Sequence, residues 1–241
     1  MLGRFLEIGI ATQDIRASVE FYERLGFTQA QTGDAWRHPY GVLTDGRVYL
    51  GLHQARLDAP ALTFVRPGLA SQLTELERAR VEPSTINIGG EVFNEIGFRD
   101  PAGLAVRLLE ARTYSPAARE PGAGSLCGAF RGFSAPAADF ERVSRFWEAL
   151  GFVAADEEAH PYPHLPLRCD GLELALHRPR FFAEPMLVFQ DGTMPGRISH
   201  LRELGIGTLQ SPPAGLGARA NAMLLAPEGT ALLLLEDAGT P

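Results

Sequence analysis

The sequence contains no lysine, so all 22 basic residues are arginine. Without lysine, the chain cannot form a lysine Schiff base, hold pyridoxal phosphate covalently or carry a P-loop, and these classes of enzyme are excluded. Cysteine is also scarce. The two cysteines, Cys127 and Cys169, form no CxxC pair. We therefore expect reduced thiols in a cytoplasmic protein rather than a disulfide framework.

Long apolar runs and an excess of positive charge are missing as well. The apolar run at residues 232–235 is far too short to cross a bilayer and is typical of a buried strand. The N-terminal segment carries Arg4 and Glu7 within a short apolar stretch, unlike a signal peptide. The formal net charge is -7, and no arginine-rich run offers a surface for phosphates. We expect no membrane partner and no nucleic-acid partner.

An internal repeat is the strongest feature that the sequence does contain. A Leu-Gly-Phe motif at residues 25–27 returns at residues 150–152, a shift of 125 positions. About the same shift relates Asp14 to Asp139 and, near the end of each half, one Pro-x-Gly motif to another. Repeats of this length indicate duplicated structural units, so the two halves are expected to share one fold.

The segment between the halves has the composition of a linker. Residues 114–124 are rich in proline, alanine, glycine and serine and show no apolar periodicity. Hydrophobic residues make up 45% of the 241-residue chain, which is enough for a core in each half. We predict a first domain at residues 1–112, a linker at 113–125 and a second domain at 126–238.

Each half shows the pattern of a strand, a helix and three strands, followed by the same pattern in weaker form. The first strand is predicted at residues 5–11, where side chains alternate between two faces. Asp14 is a suitable N-cap for the helix that follows, and Gly26 is a suitable end for it. The alternation places Leu6, Ile8 and Ile10 on one face and Glu7, Gly9 and Ala11 on the other.

These motifs resemble those of the vicinal oxygen chelate superfamily, which includes glyoxalase I, bleomycin-resistance proteins and extradiol dioxygenases. The resemblance rests on Asp14, the Phe-Tyr pair at 21–22, the Leu-Gly-Phe motif and the Asp-Pro-Ala-Gly motif at 100–103, and it covers both halves. It implies an α+β fold of four βαβββ modules, paired into two domains that each curl an eight-stranded mixed sheet around a cleft. The superfamily supports many reactions, so the resemblance indicates the fold better than the chemistry.

The resemblance also implies where a metal would bind. Metal-dependent members place His, Gln or Glu ligands on the first, fifth and eighth strands of a domain. In the first half these positions are Glu7, a site near Ala61, and Arg107. Only Glu7 can ligate a cation, and the permanent charge of the Arg107 guanidinium repels one. We expect that the metal site has been lost.

The second half has no better set of ligands. Its corresponding positions are Gly132, a site near Pro185, and Leu233. We therefore predict a more apolar and largely structural cleft there. In the first half, Glu7 and Arg107 are predicted to form an ion pair where the metal would lie, and this pair would anchor a carboxylate or enolate.

Two histidines at corresponding strand ends are further candidates. Alternation puts Tyr49 and His53 on one face of the first half, and Glu173 and His177 on one face of the second. Each histidine is either a base or hydrogen-bond partner for a ligand, or a strand-end residue partly in solvent. Trp36, with its neighbours, is either an aromatic wall of a pocket or a packing residue. The candidate ligand-binding residues are Glu7, Trp36, Tyr49, His53, Arg107, Glu173 and His177.

The sequence thus predicts a bacterial-type protein that binds a small organic molecule in the cleft of its first domain, without a cofactor or catalytic metal. One alternative is a metal-dependent lyase or an extradiol-type dioxygenase that uses Glu7 and His53 with a divalent ion. A second alternative is a regulatory or interaction module. The expected partners are the small-molecule ligand and, in a homodimer, a second copy of the chain; a monomer is equally compatible with the sequence.

Overall fold

The computed structural model describes residues 2–32, 36–90, 93–110, 124–206, 208–218 and 220–237. In this part of the chain, no helix is long and apolar enough to cross a membrane. Two eight-stranded mixed sheets are present, the first built before residue 110 and the second after residue 128. Most of the predicted linker at 113–125, and the predicted boundaries at 112 and 238, lie outside the described residues.

The first domain repeats one βαβββ module twice. Its strands follow the order β2-β3-β4-β1-β5-β8-β7-β6, with β1 parallel to β4 and antiparallel to β5. The elements are β1 (Arg4–Ala11), α1 (Ile15–Arg24), β2 (Thr28–Ala30), β3 (Tyr40–Thr44), β4 (Tyr49–His53), β5 (Ala61–Val65), α2 (Leu69–Arg78), β6 (Thr85–Asn87), β7 (Glu95–Arg99) and β8 (Ala105–Leu109).

The second domain has the same topology, with the order β10-β11-β12-β9-β13-β16-β15-β14. Its elements are β9 (Ala129–Pro136), α3 (Phe140–Ala149), β10 (Val153–Ala154), β11 (His164–Cys169), β12 (Leu172–His177), β13 (Met186–Asp191), α4 (Met194–Glu203), β14 (Thr208–Gln210), β15 (Ala222–Leu225) and β16 (Ala231–Glu236). The predicted fold of four βαβββ modules, two for each open sheet, is confirmed.

The first helix of each domain begins and ends as its sequence predicts. The Asp14 carboxylate accepts hydrogen bonds from the backbone amides of Arg16 and Ala17, at 3.0 and 3.1 Å. The Asp139 carboxylate caps α3 with a single hydrogen bond, accepted from the backbone amide of Arg142 at 3.0 Å. Gly26, with a φ of 89°, follows the last turn of α1 in the left-handed conformation that glycine adopts readily. The caps therefore fix the bounds of the helices that pack on each sheet.

A β-bulge in β1 changes which side chains face the cleft. The pairing with β5 shifts between Phe5 and Glu7, so Leu6 is an extra residue in the strand. Leu6 consequently packs with Trp36 in a small apolar cluster on the cleft side. The alternation predicted Leu6 beside Ile8 in the core, and this is wrong because one inserted residue reverses the face.

The helix-side faces of the two sheets share one hydrophobic core. The rings of Phe27 and Phe189, one from each domain, lie 6.3 Å apart in an edge-on contact. Phe64 and Phe152 form a similar contact at 6.4 Å. Both cysteines are free thiols, and Cys127 is buried in this core. The other face of each sheet is left to form a cleft.

Two hydrogen bonds cross the junction between the domains in a reciprocal way. The indole Nε1 of Trp147 in α3 donates to Asp100 Oδ2 of the first domain at 3.0 Å. The hydroxyl of Tyr22 in α1 donates to Glu228 Oε1 of the second domain at 2.8 Å. Tyr22 and Trp147 are both fully buried. Each domain therefore inserts a helix side chain against the turn before the last strand of the other.

Candidate functional site

Three adjacent strands of the first domain bring Glu7, Thr63 and Arg107 into one row. Glu7 on β1 pairs with Thr63 on β5, and Thr63 pairs with Arg107 on β8. The exposed fractions of these residues are only 1%, 0% and 8%. Ala61 lies two residues along β5 from Thr63, on the same face. The row therefore forms the floor of the first cleft.

The Glu7 carboxylate lies over β4. Its Oε2 accepts a hydrogen bond from the Tyr40 hydroxyl at 2.6 Å. Its Oε1 is 3.7 Å from Nε2 of His53, which is too long for a hydrogen bond. A Cβ on Gly51 would lie 2.7 Å from Oε2 of the same carboxylate. Glycine at position 51 therefore leaves the space that the Glu7 side chain fills.

His53 lies between Glu7 and a second histidine, His38, at the mouth of the cleft. Its Nδ1 lies 2.9 Å from Nε2 of His38. Because a carboxylate only accepts hydrogen bonds, we assign the His53 proton to Nε2, facing Glu7, so that Nδ1 accepts from Nε2–H of His38. Burial lowers the pKa of His38 below its usual value, and its electrostatic interactions with His53 and Arg107 lower that pKa further.

Arg107 pairs with a carboxylate other than the predicted one. Its Nε lies 2.9 Å from Glu95 Oε1, and its guanidinium lies 5.3 Å from the centre of the Trp36 ring. The predicted ion pair with Glu7 is therefore wrong, because β7 lies next to β8 and offers Glu95 at shorter reach. Tyr49, the other residue predicted at this site, is half-buried on β4.

Trp36 closes the aromatic side of the first cleft. Its ring lies 4.9 Å from the His53 ring and 5.2 Å from the Phe93 ring, measured between centroids. Trp36 lies before Tyr40, where β3 begins. The aromatic wall therefore comes from the segment before the strand rather than from the sheet itself.

Four buried polar atoms in this cleft have no hydrogen-bond partner among the described residues. In native proteins most buried polar atoms have a hydrogen-bond partner, so four unpartnered atoms at the floor of one cleft require an explanation. The sequence missed Thr63, and only its place in the strand register could have identified it. The four atoms are Glu7 Oε1, His53 Nε2, Thr63 Oγ1 and Arg107 Nη1.

His177, the counterpart of His53, has both ring nitrogens occupied. Its Nε2 lies 2.9 Å from the carbonyl oxygen of Phe182 and must donate to it. Its Nδ1 therefore accepts from the Ser134 hydroxyl at 2.8 Å. Burial lowers the pKa of His177 to about 4. This histidine is a neutral structural group and has no free nitrogen for a ligand.

The floor of the second cleft is apolar. Gly132 pairs with Val188, and Val188 pairs with Leu233, so these residues replace the polar row of the first domain. A Cβ on Gly132 would lie 2.6 Å from the carbonyl oxygen of Glu173. The close approach of the β12 backbone therefore requires glycine where the first domain has Glu7.

The mouth of the second cleft is charged, which the sequence did not predict. A bulge in β9 repeats the one in β1 and makes Arg131 the extra residue. Arg131 donates to the side-chain oxygen of Gln190 at 2.9 Å, and Arg168 pairs with the exposed Glu173 at 2.8 Å. His164 begins β11 and is half-buried. These residues line a cavity of about 310 Å³.

Solved structures share this architecture over the whole length of the chain. A catechol 2,3-dioxygenase is 14% identical, with a TM-score of 0.61 and coverage of 99% of this chain and 91% of that chain. Homoprotocatechuate 2,3-dioxygenase from Arthrobacter globiformis is 14% identical, with a TM-score of 0.65 and coverage of 100% and 82%. The chain has the vicinal oxygen chelate fold.

A third structure with this fold is a Mn(II)-bound glyoxalase from Novosphingobium aromaticivorans. It is 14% identical, with a TM-score of 0.62 and coverage of 99% of this chain and 83% of that chain. No family model matches the sequence, and no curated protein matches it. At these identities the likeness concerns the vicinal oxygen chelate fold and leaves the chemistry of the clefts to their own residues.

The residues of this vicinal oxygen chelate fold do not fit a catalytic divalent ion. Of the three positions that would supply ligands, the site near Ala61 on β5 offers only the uncharged hydroxyl of Thr63, and Arg107 brings a positive charge. Glu7 and His53 alone fall short of the three protein ligands usual in catalytic sites. Within the described ranges, no group of three His, Cys, Asp or Glu side chains is placed to hold a metal ion.

Proposed function

We propose that the cleft of the first domain binds a small organic molecule and does so without a catalytic metal. The observation that carries this proposal is the set of four unpartnered buried polar atoms defined above. A buried polar group left without a hydrogen bond costs about 1–3 kcal/mol. A ligand that supplies partners for several of these atoms at once would recover much of that cost on binding.

The charges in the cleft favour an uncharged ligand. Among the residues described at this cleft, two carboxylates, Glu7 and Glu95, accompany one guanidinium, that of Arg107, so the excess negative charge would repel an added anion. Because Arg107 is already paired, it is a poor anchor for the carboxylate or enolate expected from the sequence. A neutral molecule can donate to Glu7 Oε1 and accept from Arg107 Nη1. The face of Trp36 favours a planar one.

Two features weigh against the alternative functions. A metal-dependent lyase or dioxygenase would need His, Gln or Glu ligands near Ala61 on β5 and at Arg107, and neither place supplies one. A module that only builds an interface would not need four unpartnered polar atoms on one buried floor of the first cleft. We assign the second cleft a supporting role, with Glu173 at its mouth and His177 in its packing.

Binding of benzamide, a planar and neutral probe, tests the proposal. At about ten times its Kd, benzamide should raise the Tm by about 2–4 °C. Benzoate, of the same shape but charged, should bind more weakly. Thr63→Val removes an unpartnered hydroxyl and should weaken benzamide binding several-fold, while the free energy of unfolding stays unchanged or rises by about 1 kcal/mol.

The matched control is Glu173→Gln, which removes a carboxylate from the other cleft and should leave benzamide binding unchanged. Glu7→Gln keeps the shape of the side chain and should weaken binding. Isothermal titration calorimetry measures each affinity, and urea denaturation measures each stability. The proposal fails if benzamide binds equally well to Thr63→Val and Glu7→Gln, or if no neutral planar probe binds at all.

A further inference from the structure

A second cavity, of about 270 Å³, lies where the two domains meet. The first domain contributes Ile8 and Ile10, which point to the helix side of β1 and not into the first cleft. Leu57 lines the cavity from the segment after β4, and Phe133 and Met186 line it from the second domain. The cavity is therefore separate from the first cleft, shares Phe133 with the lining of the second, and has apolar walls.

A carboxylate fixed by two buried hydroxyl groups lines this cavity. Glu228 Oε1 accepts from the Tyr22 hydroxyl and Oε2 accepts from the Ser18 hydroxyl, each at 2.8 Å. Ser18 and Tyr22 are fully buried. A carboxylate has about four acceptor sites, so these bonds hold Glu228 in place and leave acceptor capacity for a further donor. Burial and the charge of Glu228 raise the pKa of Tyr22 well above its usual value.

No described cation neutralises the carboxylates of the cavity. Glu184 is exposed and also lines the cavity. Neither Glu184 nor Glu228 has an arginine or histidine nitrogen within 4.0 Å in the part of the chain that the structure describes. Arg56 is exposed and lines an adjoining groove that Glu228 also lines.

The corresponding turn of the first domain contains a carboxylate, that of Asp100, that lines no described cavity. Asp100 Oδ1 accepts from the backbone amides of Ala102 and Leu104, at 2.8 and 2.9 Å, and Oδ2 accepts from Trp147. No cavity among those described includes Asp100 in its lining. Glu228 differs because its carboxylate is held by hydroxyl groups alone and faces open space.

We propose that this cavity of about 270 Å³ between the two domains, the junction cavity, binds a small organic ammonium ion. The ammonium group would donate to the spare acceptor sites of Glu228, with the charge of Glu184 at the mouth. The apolar part would lie against Ile10 and Met186, where removal of its surface from water favours binding. A partly buried carboxylate without a counterion favours a cation over a neutral molecule of the same shape, and this sets the ligand class.

Benzylammonium tests the proposal against benzyl alcohol, a neutral probe of similar shape. Titration calorimetry on the full chain should show benzylammonium binding at least about tenfold more tightly than benzyl alcohol. Glu228→Gln keeps the hydrogen-bond acceptor and should lower benzylammonium affinity by about tenfold, which corresponds to 1.4 kcal/mol. Glu184→Gln changes an exposed side chain, leaves folding intact, and should lower the affinity several-fold.

Glu7→Gln is the control that separates this cavity from the first cleft. Benzylammonium should bind this variant as it binds the unaltered protein, and benzamide should bind Glu228→Gln normally. The proposal is overturned if benzyl alcohol binds as tightly as benzylammonium, or if neither Glu184→Gln nor Glu228→Gln lowers the affinity. It is also overturned if Glu7→Gln, rather than Glu228→Gln, abolishes benzylammonium binding.

Discussion

Replacement of Asp100 by alanine is expected to lower the free energy of unfolding by about 3–5 kcal/mol. The carboxylate of Asp100 is 5% exposed and accepts three hydrogen bonds, from the amides of Ala102 and Leu104 and from the Trp147 indole. Alanine leaves three donors without an acceptor, each at a cost of about 1–3 kcal/mol. Urea denaturation measures the loss, and the Tm should fall by about 10 °C.

Trp147→Phe is the control for the one hydrogen bond of Asp100 that links the two domains. It removes one donor and keeps both backbone bonds of Asp100, so a loss of about 1–2 kcal/mol is expected. A second variant, Asp100→Asn, retains one side-chain oxygen. Its loss of unfolding free energy should lie between those of Trp147→Phe and Asp100→Ala. A cost below about 1 kcal/mol for Asp100→Ala would contradict the role assigned to this carboxylate.

The expected size of this effect gives the Asp-Pro-Ala-Gly motif a physical role. The motif shapes the turn before β8 through Asp100 Oδ1, and it receives Trp147 of the second domain through Oδ2. In the second domain, Ala226 replaces this aspartate, and Glu228 receives Tyr22 instead. Each turn accepts a hydrogen bond from a helix side chain of the other domain, but through a different carboxylate. Of these two carboxylates, only that of Glu228 lines a cavity.

Acidification is expected to destabilise the protein through His177. Burial lowers the pKa of this histidine from 6.5 to about 4 in the folded chain. Between these two pH values the unfolded chain binds a proton that the folded chain does not, so stability rises with pH there and falls on acidification. The loss attributable to His177 should be about 2–3 kcal/mol between pH 7 and pH 4.5.

His177→Gln isolates this contribution from those of other titrating groups. Glutamine can accept from Ser134 and donate to the Phe182 carbonyl, but it does not titrate. The difference in unfolding free energy between the two proteins should therefore shrink as the pH falls from 7 to 4.5. Urea denaturation at several pH values measures it. A difference that stays constant over this range would contradict the account of His177.

Much of the fold follows from local signals in the sequence. The helix caps at Asp14 and Asp139 and the alternation of residues 7–11 correctly indicate α1, α3 and the greater part of β1. Leu6 is the exception, because a bulge depends on how β1 pairs with β5, and no residue near Leu6 signals that register. The matching bulge at Arg131 was missed for the same reason.

The first cleft was predicted only in part. The structure brings Glu7, His53 and Arg107 to one cleft, as the strand faces indicated, and Trp36 joins them from the segment before β3. Their partners could not be predicted, because Glu95 reaches Arg107 from a strand adjacent only in the folded sheet. The occupied nitrogens of His177 were likewise hidden, since Phe182 lies in a loop whose path follows from tertiary packing.

The metal content of the protein tests the central claim most directly. The chain should be purified without chelator, incubated with Mn²⁺, Fe²⁺ or Zn²⁺, passed through gel filtration and measured by inductively coupled plasma mass spectrometry, beside Glu7→Gln. The account predicts only traces of metal, equal in both proteins, while benzamide still binds the unaltered chain. Close to one equivalent of metal per chain, lost in Glu7→Gln, would contradict it.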